Sequence, residues 1–288
     1  MQDTTTNYRY YTAEPLTNDQ LRTVAPSIFA ERPWAEMSDR YTFIPTIRIV
    51  EEMRKEGLVP YFAKQTISPV EGRTPFAMHM IRFRDTSQRG QKLVVGDLYP
   101  EVTLINSHDG GASYRLMAAL LRAACMNGLM VSDSEFAAIH VMHRGNVAPV
   151  LEASFQVIEQ FPKIMGEVGE FQRIDLRRDQ QLALAESALE LKYDERDDGS
   201  LACPITADAV LMPRRSDDSK PTLWNTYNVV QENLMKGGQR GVTIGANHRT
   251  RRVKTRPVKA IATDVKLNKA LWTLTARMAE LVGAPAAA

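Results

Sequence analysis

Alternation along the first half of the chain predicts an antiparallel meander of strands. Between residues 76 and 84, Ala77, Ile81 and Phe83 fall on one side of an extended chain and Met78 and Met80 on the other. This period of two is typical of a strand that is at least half-buried. Two shorter strands are predicted at 92–96 and 101–106, with a turn at 97–100 between them, and another is expected at 137–143.

A tight reversal is predicted at residues 106–111, where the sequence reads Asn-Ser-His-Asp-Gly-Gly. Asp-Gly and Gly-Gly accept a positive φ at little cost, so they suit a hairpin turn. Residues 114–126 then have two interpretations. They form either a helix that stops at Asn127-Gly128 or, in their first half, a strand that returns beside the preceding one.

Apolar residues spaced three and four apart predict helices, each with a start or stop signal. Gly57, Pro162 and Gly237 each end a helix, and Asp264 is the N-cap of the last one. In chain order, the predicted helices lie at 46–56, 147–161, 179–192, 221–236 and 264–282.

The apolar stripe of the last helix has two interpretations. It packs either on the core of the chain or on a second copy, as the seam of a self-associating helix. Its members recur at four-three-four-three spacing and are Leu267, Leu271, Leu274, Met278 and Leu281.

These elements together indicate an α+β fold, in which several amphipathic helices pack on an antiparallel sheet with a hairpin at 106–111. We expect an irregular N-terminal arm at 1–40, an α+β core at 41–212 and a helical C-terminal part at 213–288 that carries a basic extended segment. The boundary at the polar linker 212–221 is soft, so the last two parts are compatible with a single domain.

Composition indicates a cytoplasmic globular protein that folds without a metal or a disulfide. Of the 288 residues, 44% are hydrophobic and 24% are charged, which are ordinary globular values. The two cysteines, Cys125 and Cys203, have neither metal-site nor disulfide-framework spacing. The polar start of the chain lacks a signal peptide, and no apolar run is long enough to span a membrane.

Positive charge is concentrated in one late stretch. Residues 236–259 contain eight Lys or Arg and no Asp or Glu, whereas the whole chain has a formal net charge of +2. Subtracting this +8 from +2 leaves −6 for the rest of the chain. Such segregation is typical of a surface that meets a polyanion.

We predict that the core of this stretch is extended, because it contains β-branched residues and ends at Pro257. Arg252, Lys254 and Arg256 would then point the same way, about 6.6 Å apart, an interval that can follow phosphates. The alternative is a solvated basic loop that pairs with acidic residues elsewhere on the protein. The predicted nucleic-acid-binding residues are Arg249, Arg251, Arg252, Lys254, Arg256 and Lys259.

Catalytic chemistry is less expected than binding. His108 and Asp109 are weak catalytic candidates, because an Asp at a hairpin tip usually bonds its own backbone. In a strand, His140 and His143 would lie on opposite faces and could not share a metal. The sequence has no nucleotide-binding loop, nucleophile elbow or zinc-protease motif, so we expect neither a metal nor a cofactor.

Several longer motifs carry a family resemblance. The first is Asn-Ser-His-Asp-Gly at 106–110, followed by Arg115-Leu116, and the second is Cys-Met-Asn-Gly-Leu at 125–129. The third is Pro-Thr-Leu-Trp-Asn-Thr-Tyr-Asn-Val-Val-Gln-Glu-Asn-Leu at 221–234, followed by Gly237-Gly238 and the basic stretch. The fourth is Leu-Asn-Lys-Ala-Leu-Trp at 267–272. Over about residues 41–281 the chain resembles the phage/plasmid-like protein family, a domain of unknown function on prophages, plasmids and integrative elements. The resemblance implies a mobile-element setting and no reaction or catalytic residue.

We therefore expect a DNA-binding accessory protein of a mobile element, acting in replication, recombination or transfer. The alternative is an inhibitor of host defence, in which the same basic residues dock on a host protein. A pull-down from nuclease-treated lysate separates the two, since only a protein partner survives the treatment.

Overall fold

A computed structural model of the chain describes residues 8–11, 14–37, 41–87, 90–91, 97–131, 138–142, 146–196, 198, 200–244 and 249–283. The chain divides into two compact units. The first unit is Met1–Pro162 with Lys259–Ala262, and the second is Lys163–Val258 with Thr263–Ala288. The division into an arm, a core and a C-terminal part remains a prediction, because compactness alone does not identify parts that fold independently.

The first unit is built on an antiparallel sheet, as predicted, and the α+β fold class is confirmed. Neighbouring strands follow the chain order from β1 to β6, and β7 pairs with the part of β5 that β6 leaves uncovered. The strands are β1 (Tyr8–Tyr11), β2 (Leu58–Gln65), β3 (His79–Asp85), β4 (Leu98–Asn106), β5 (Tyr114–Arg122), β6 (Asn127–Met130) and β7 (Ile139–Val141). The strand predicted at 92–96 lies outside the described residues.

The predicted hairpin at 106–111 joins β4 to β5, with Leu104 opposite Leu116. The interpretation of residues 114–126 as a helix is wrong, and the return strand forms instead. The reason lies in burial: β5 has neighbours on both edges, and its side chains from Leu116 to Leu121 are buried on both faces. A strand covered on both faces reads as a continuous apolar run, which periodicity alone cannot separate from a buried helix.

The helices in chain order are α1 (Asn18–Val24), α2 (Thr46–Lys55), α3 (Ala148–Arg173), α4 (Arg178–Glu190), α5 (Ala207–Val210), α6 (Leu223–Lys236) and α7 (Ile261–Gly283). Helix α2 packs on β2 and ends, as predicted, before Gly57, which has φ +81°. No helix among the described residues is both long enough and apolar enough to cross a membrane.

Helix α3 does not stop at Pro162, contrary to the prediction, but continues to Arg173. A proline inside a helix removes one backbone hydrogen bond and costs about 3 kcal/mol or more. Here the apolar stripe continues on the far side of the proline, with Ile164, Val168 and Phe171 all buried. Burial of these large side chains offsets the lost hydrogen bond, so packing overrides the local stop signal.

Helix α6 is the core of the second unit: every residue from Leu223 to Met235 except Asn225 is buried. Thr222 caps its start by accepting a hydrogen bond from the Asn225 N–H at 3.1 Å. On the core side, the ring of Trp272 meets that of Tyr227 edge-on at 5.8 Å. The predicted helix after Pro221 is therefore confirmed.

Helix α7 begins at Ile261, so the prediction of an N-cap at Asp264 is wrong. Asp264 lies in the first turn, where its carboxylate accepts a hydrogen bond from Asn268 Nδ2 at 2.8 Å. Leu267 and Leu271 are buried, whereas Leu281 is 78% exposed. Core packing explains the first part of the apolar stripe, and self-association through its exposed end remains a prediction.

Candidate nucleic-acid interface

The basic stretch forms a two-stranded antiparallel ribbon in the second unit. Its strands are β8 (Arg240–Ile244) and β9 (Thr250–Lys254), and we call these two strands the basic ribbon. Arg240 lies opposite Lys254, and Val242 lies opposite Arg252. The extended conformation predicted for β9 is observed.

The basic ribbon has one outer face that carries most of its positive charge. Residues directly opposite each other in an antiparallel pair point to the same face, and alternate residues along a strand do so too. Arg240, Val242, Arg252 and Lys254 therefore share one face, and all four are exposed. Together with Gly241 and Val253 they line a shallow open groove.

The opposite face is held against the segment at Pro204. The Val242 N–H donates a hydrogen bond to the Pro204 carbonyl at 2.8 Å. A Cβ added at Gly241 would lie 2.0 Å from the same oxygen, so only glycine permits this approach. The contact fixes the ribbon along the edge of β8 and at Gly241 on its inner face, and it leaves the outer face to solvent.

Thr255, which is buried, ties the two strands together where they leave the body of the unit. Its N–H donates to the Gln239 carbonyl at 2.9 Å, and its own carbonyl accepts from the Gly238 N–H at 2.8 Å. Its hydroxyl accepts a third hydrogen bond, from the Gln239 N–H at 3.0 Å. The ribbon is thus anchored at its base and is not a loosely attached loop.

Two cationic side chains fix the end of α6, from which the ribbon starts. Arg214 donates to the Gly237 carbonyl at 2.5 Å and to Asn233 Oδ1 at 2.7 Å. Lys192 Nζ donates to the Leu234 carbonyl at 2.5 Å, where it complements the negative end of the helix dipole. Burial lowers the pKa of Lys192 to about 8, so this lysine remains largely protonated at neutral pH.

Gly237 provides the turn between α6 and the ribbon, and its replacement by alanine is expected to destabilise the protein. Its φ is +62°, and an added Cβ would lie 2.6 Å from the Arg256 carbonyl carbon. We expect Gly237→Ala to lower the free energy of unfolding by more than about 1 kcal/mol in urea titrations. Gly238→Ala is the matched control, since Gly238 also has a positive φ but no atom within 4 Å of the added Cβ. Equal losses in the two variants would contradict the role assigned to the close approach.

The cations of the ribbon differ in their ion pairing from the cations at the end of α6. Lys236 and Arg215 both pair with the buried Glu232, and the Lys236 pair measures 2.9 Å. Burial alone would raise the pKa of Glu232, but hydrogen bonds from these two cations outweigh it and hold the pKa below its ordinary value. Lys236 therefore belongs to a structural ion-pair network.

By contrast, several exposed cations on or beside the ribbon form no ion pair with any carboxylate in the described part of the chain. They are Arg240, Arg251, Arg252, Lys254 and Arg256. Of the six predicted binding residues, Arg249 precedes β9 and is exposed, and Lys259 belongs to the first unit. The predicted set omitted Arg240, because only strand pairing brings this residue beside Lys254. The alternating β-branched residues Val242 and Ile244 are the sequence signal that could have indicated a strand there.

The weak catalytic candidates lie in the first unit and have separate partners. His108 is fully buried, and its Nε2 lies 3.1 Å from Thr46 Oγ1. The Asp109 carboxylate accepts hydrogen bonds from Arg73 Nε at 2.9 Å and from the Gly111 N–H at 3.1 Å. Each of the two side chains therefore has a structural partner of its own, and a catalytic role for them remains a weak hypothesis.

A second buried histidine extends this polar cluster. His79 Nδ1 lies 2.8 Å from Ser27 Oγ, and its Nε2 lies 3.0 Å from Thr46 Oγ1. Burial lowers the pKa of His79 to about 4, so it is neutral at neutral pH. The cluster joins the N-terminal segment, α2 and the sheet.

The histidine pair considered for a metal site lies only partly within the described residues. His140 lies on β7 opposite Arg115, but residue 143 lies outside the described residues. Across the described residues, no group of three or more His, Cys, Asp or Glu side chains is placed to hold a metal ion.

Comparisons with known proteins identify relatives but no activity. The profile of a family described as a domain of unknown function (DUF932) matches residues 33–272. The UPF0380 proteins YafZ and YfjQ of Escherichia coli (strain K12) are 39% and 38% identical to this chain over 261 residues, and each match covers 90% of this chain and 90% of the relative. No solved structure gives a significant match.

Proposed function

The chain belongs to the DUF932 family, whose function is unknown, and we propose that it is a DNA-binding accessory protein of mobile genetic elements that contacts DNA through the basic ribbon. The mobile-element setting, with a role in replication, recombination or transfer, rests on the sequence resemblance alone. The binding activity rests on the geometry of the ribbon.

One observation carries the proposal: like charges lie directly opposite each other on an exposed face. Arg240 is the cross-strand partner of Lys254, with Arg252 on the same face two residues along β9. Like charges in this arrangement destabilise a sheet, and neither side chain pairs with a carboxylate in the described residues. A phosphate backbone laid on this face would relieve the repulsion and release counterions.

Charge reversal at Lys254 separates a binding role from a structural one. In Lys254→Glu the new carboxylate would face Arg240 and replace a repulsive pair with an attractive one. We expect a small rise in Tm together with at least a tenfold loss of affinity for a DNA duplex, measured by fluorescence anisotropy at 0.1 M salt.

The control is Lys220→Glu, which makes the same charge change at an exposed lysine of the same unit outside the ribbon. Its affinity should fall far less than that of Lys254→Glu. Unchanged affinity in Lys254→Glu would refute the assignment. A protein partner that survives nuclease treatment and requires Lys254 would instead indicate the defence-inhibitor role.

A further inference from the structure

We infer that the ligand of the basic ribbon is double-stranded DNA in the B form and that the outer face enters the major groove. This inference deepens the proposed function and rests on it. It concerns three properties of the ribbon: its width, the chemistry of its outer face and the absence of aromatic side chains in this part of the sequence.

The dimensions of the ribbon match the major groove of B-form DNA. Two paired strands lie about 4.8 Å apart, and five residues extend roughly 13 Å. A B-form major groove is about 12 Å wide and admits a two-stranded ribbon. The major groove of A-form RNA is too narrow for side chains to read, so an RNA duplex offers no equivalent site.

The side chains of the outer face complement the groups that a major groove displays. Arg252, at the centre of β9, is a fork-shaped donor of the kind that binds the O6 and N7 acceptors of guanine. Val242, directly opposite, is 48% exposed although it is apolar, and it can contact a thymine methyl group. Arg240 and Lys254 at one end of the face are placed to neutralise phosphates at the groove edge.

Val242 is an exposed apolar side chain beside three cations, and purely electrostatic binding makes no use of such a side chain. Phosphate contacts require only positive charge and hydrogen-bond donors. A valine that lines the groove together with Arg240, Arg252 and Lys254 suits contact with base edges. The pattern therefore favours insertion into a groove over a contact with the backbone alone.

Single-stranded nucleic acid fits the ribbon less well. Proteins that bind single strands place aromatic rings beside a basic groove, because bases stack on them. The sequence has no Phe, Tyr or Trp between residues 228 and 271, a stretch that includes the whole ribbon. The ribbon thus offers charge and an aliphatic contact but no stacking platform.

The test compares four probes of one sequence at the same salt concentration: a 20-base-pair DNA duplex, the corresponding RNA duplex and each DNA strand alone. We expect the full-length protein to bind the DNA duplex at least tenfold more tightly than the other three. Methylation of guanine N7, which blocks the major groove, should weaken binding at least tenfold, whereas a saturating minor-groove ligand should leave it within about twofold.

Each other outcome has a defined meaning. Equal or tighter binding to single DNA strands, or equal binding to the RNA duplex, would overturn the inference and leave the proposed function standing. Tighter binding to the RNA duplex than to any DNA probe would overturn both. Loss of binding with the minor-groove ligand, without an effect of guanine methylation, would also overturn it. No binding to any of the four probes would overturn the proposed function itself.

Discussion

Replacement of Arg251, Arg252, Lys254 and Arg256 together by alanine is expected to weaken binding to duplex DNA by about 10³-fold at 0.1 M salt. All four side chains are exposed, and none forms an ion pair with a described residue. Arg252 is assigned to guanine and the other three cations to phosphates. Each phosphate contact contributes about 0.9 to the slope of log K against log salt, so losing three contacts should reduce the slope by about 2.7. Fluorescence anisotropy across a salt series measures both quantities, and circular dichroism checks the fold.

The control variant removes the same charge from other exposed sites. Alanine is placed at Arg32, Arg48, Lys220 and Lys266, none of which belongs to the ribbon. This variant should keep its salt slope within about one unit of that of the unchanged protein. Equal weakening in the two variants would show that net charge, and not the ribbon, governs binding.

Removal of Glu101 is expected to have the largest effect on stability. This carboxylate is fully buried on β4, where Oε1 accepts a hydrogen bond from Arg84 Nε at 2.9 Å, and Arg82 Nη1 lies 3.9 Å from Oε2. Glu101→Ala would leave two cations in the sheet without this carboxylate, which costs about 3–5 kcal/mol for a buried pair. Arg82 has little room to move away, since even a Cβ at Gly128 would lie 1.2 Å from its Nη1. Urea unfolding measures the loss.

Glu52→Ala is the comparison for Glu101→Ala, because Glu52 makes an ion pair of similar length on the surface. Its partner Lys55 lies 2.7 Å away, and the side chains of Glu52 and Lys55 are 41% and 67% exposed. Solvent screens such a pair, so this variant should unfold with an unchanged midpoint. A loss of less than about 1 kcal/mol for Glu101→Ala would contradict the account of the buried cluster.

Local patterns identified most elements but not those decided by tertiary packing. The periodicities at 179–192 and 221–236 were sufficient for α4 and α6, because apolar residues recur at helical spacing along both segments. At β5 and at Pro162, burial on both faces and continued packing outweighed the local signal. Neither effect is visible without the neighbouring elements.

At the candidate interface, too, some features could be predicted from the sequence and others could not. The sequence alone located the cationic stretch and its extended conformation. It did not pair Arg240 with Lys254 or assign Lys236 to Glu232, because cross-strand register and long-range ion pairs depend on the folded chain. The inner contact at Gly241 also depends on Pro204, which lies far away in the sequence.

The most direct test of the central claim is the affinity of the full-length protein for a DNA duplex as salt rises from 0.05 to 0.5 M. Four exposed cations contacting phosphates, namely Arg240, Arg251, Lys254 and Arg256, predict a slope of about −3.6 in a plot of log K against log salt. A slope near zero, or no binding at the lowest salt, would contradict the assignment of the basic ribbon as a DNA-binding surface.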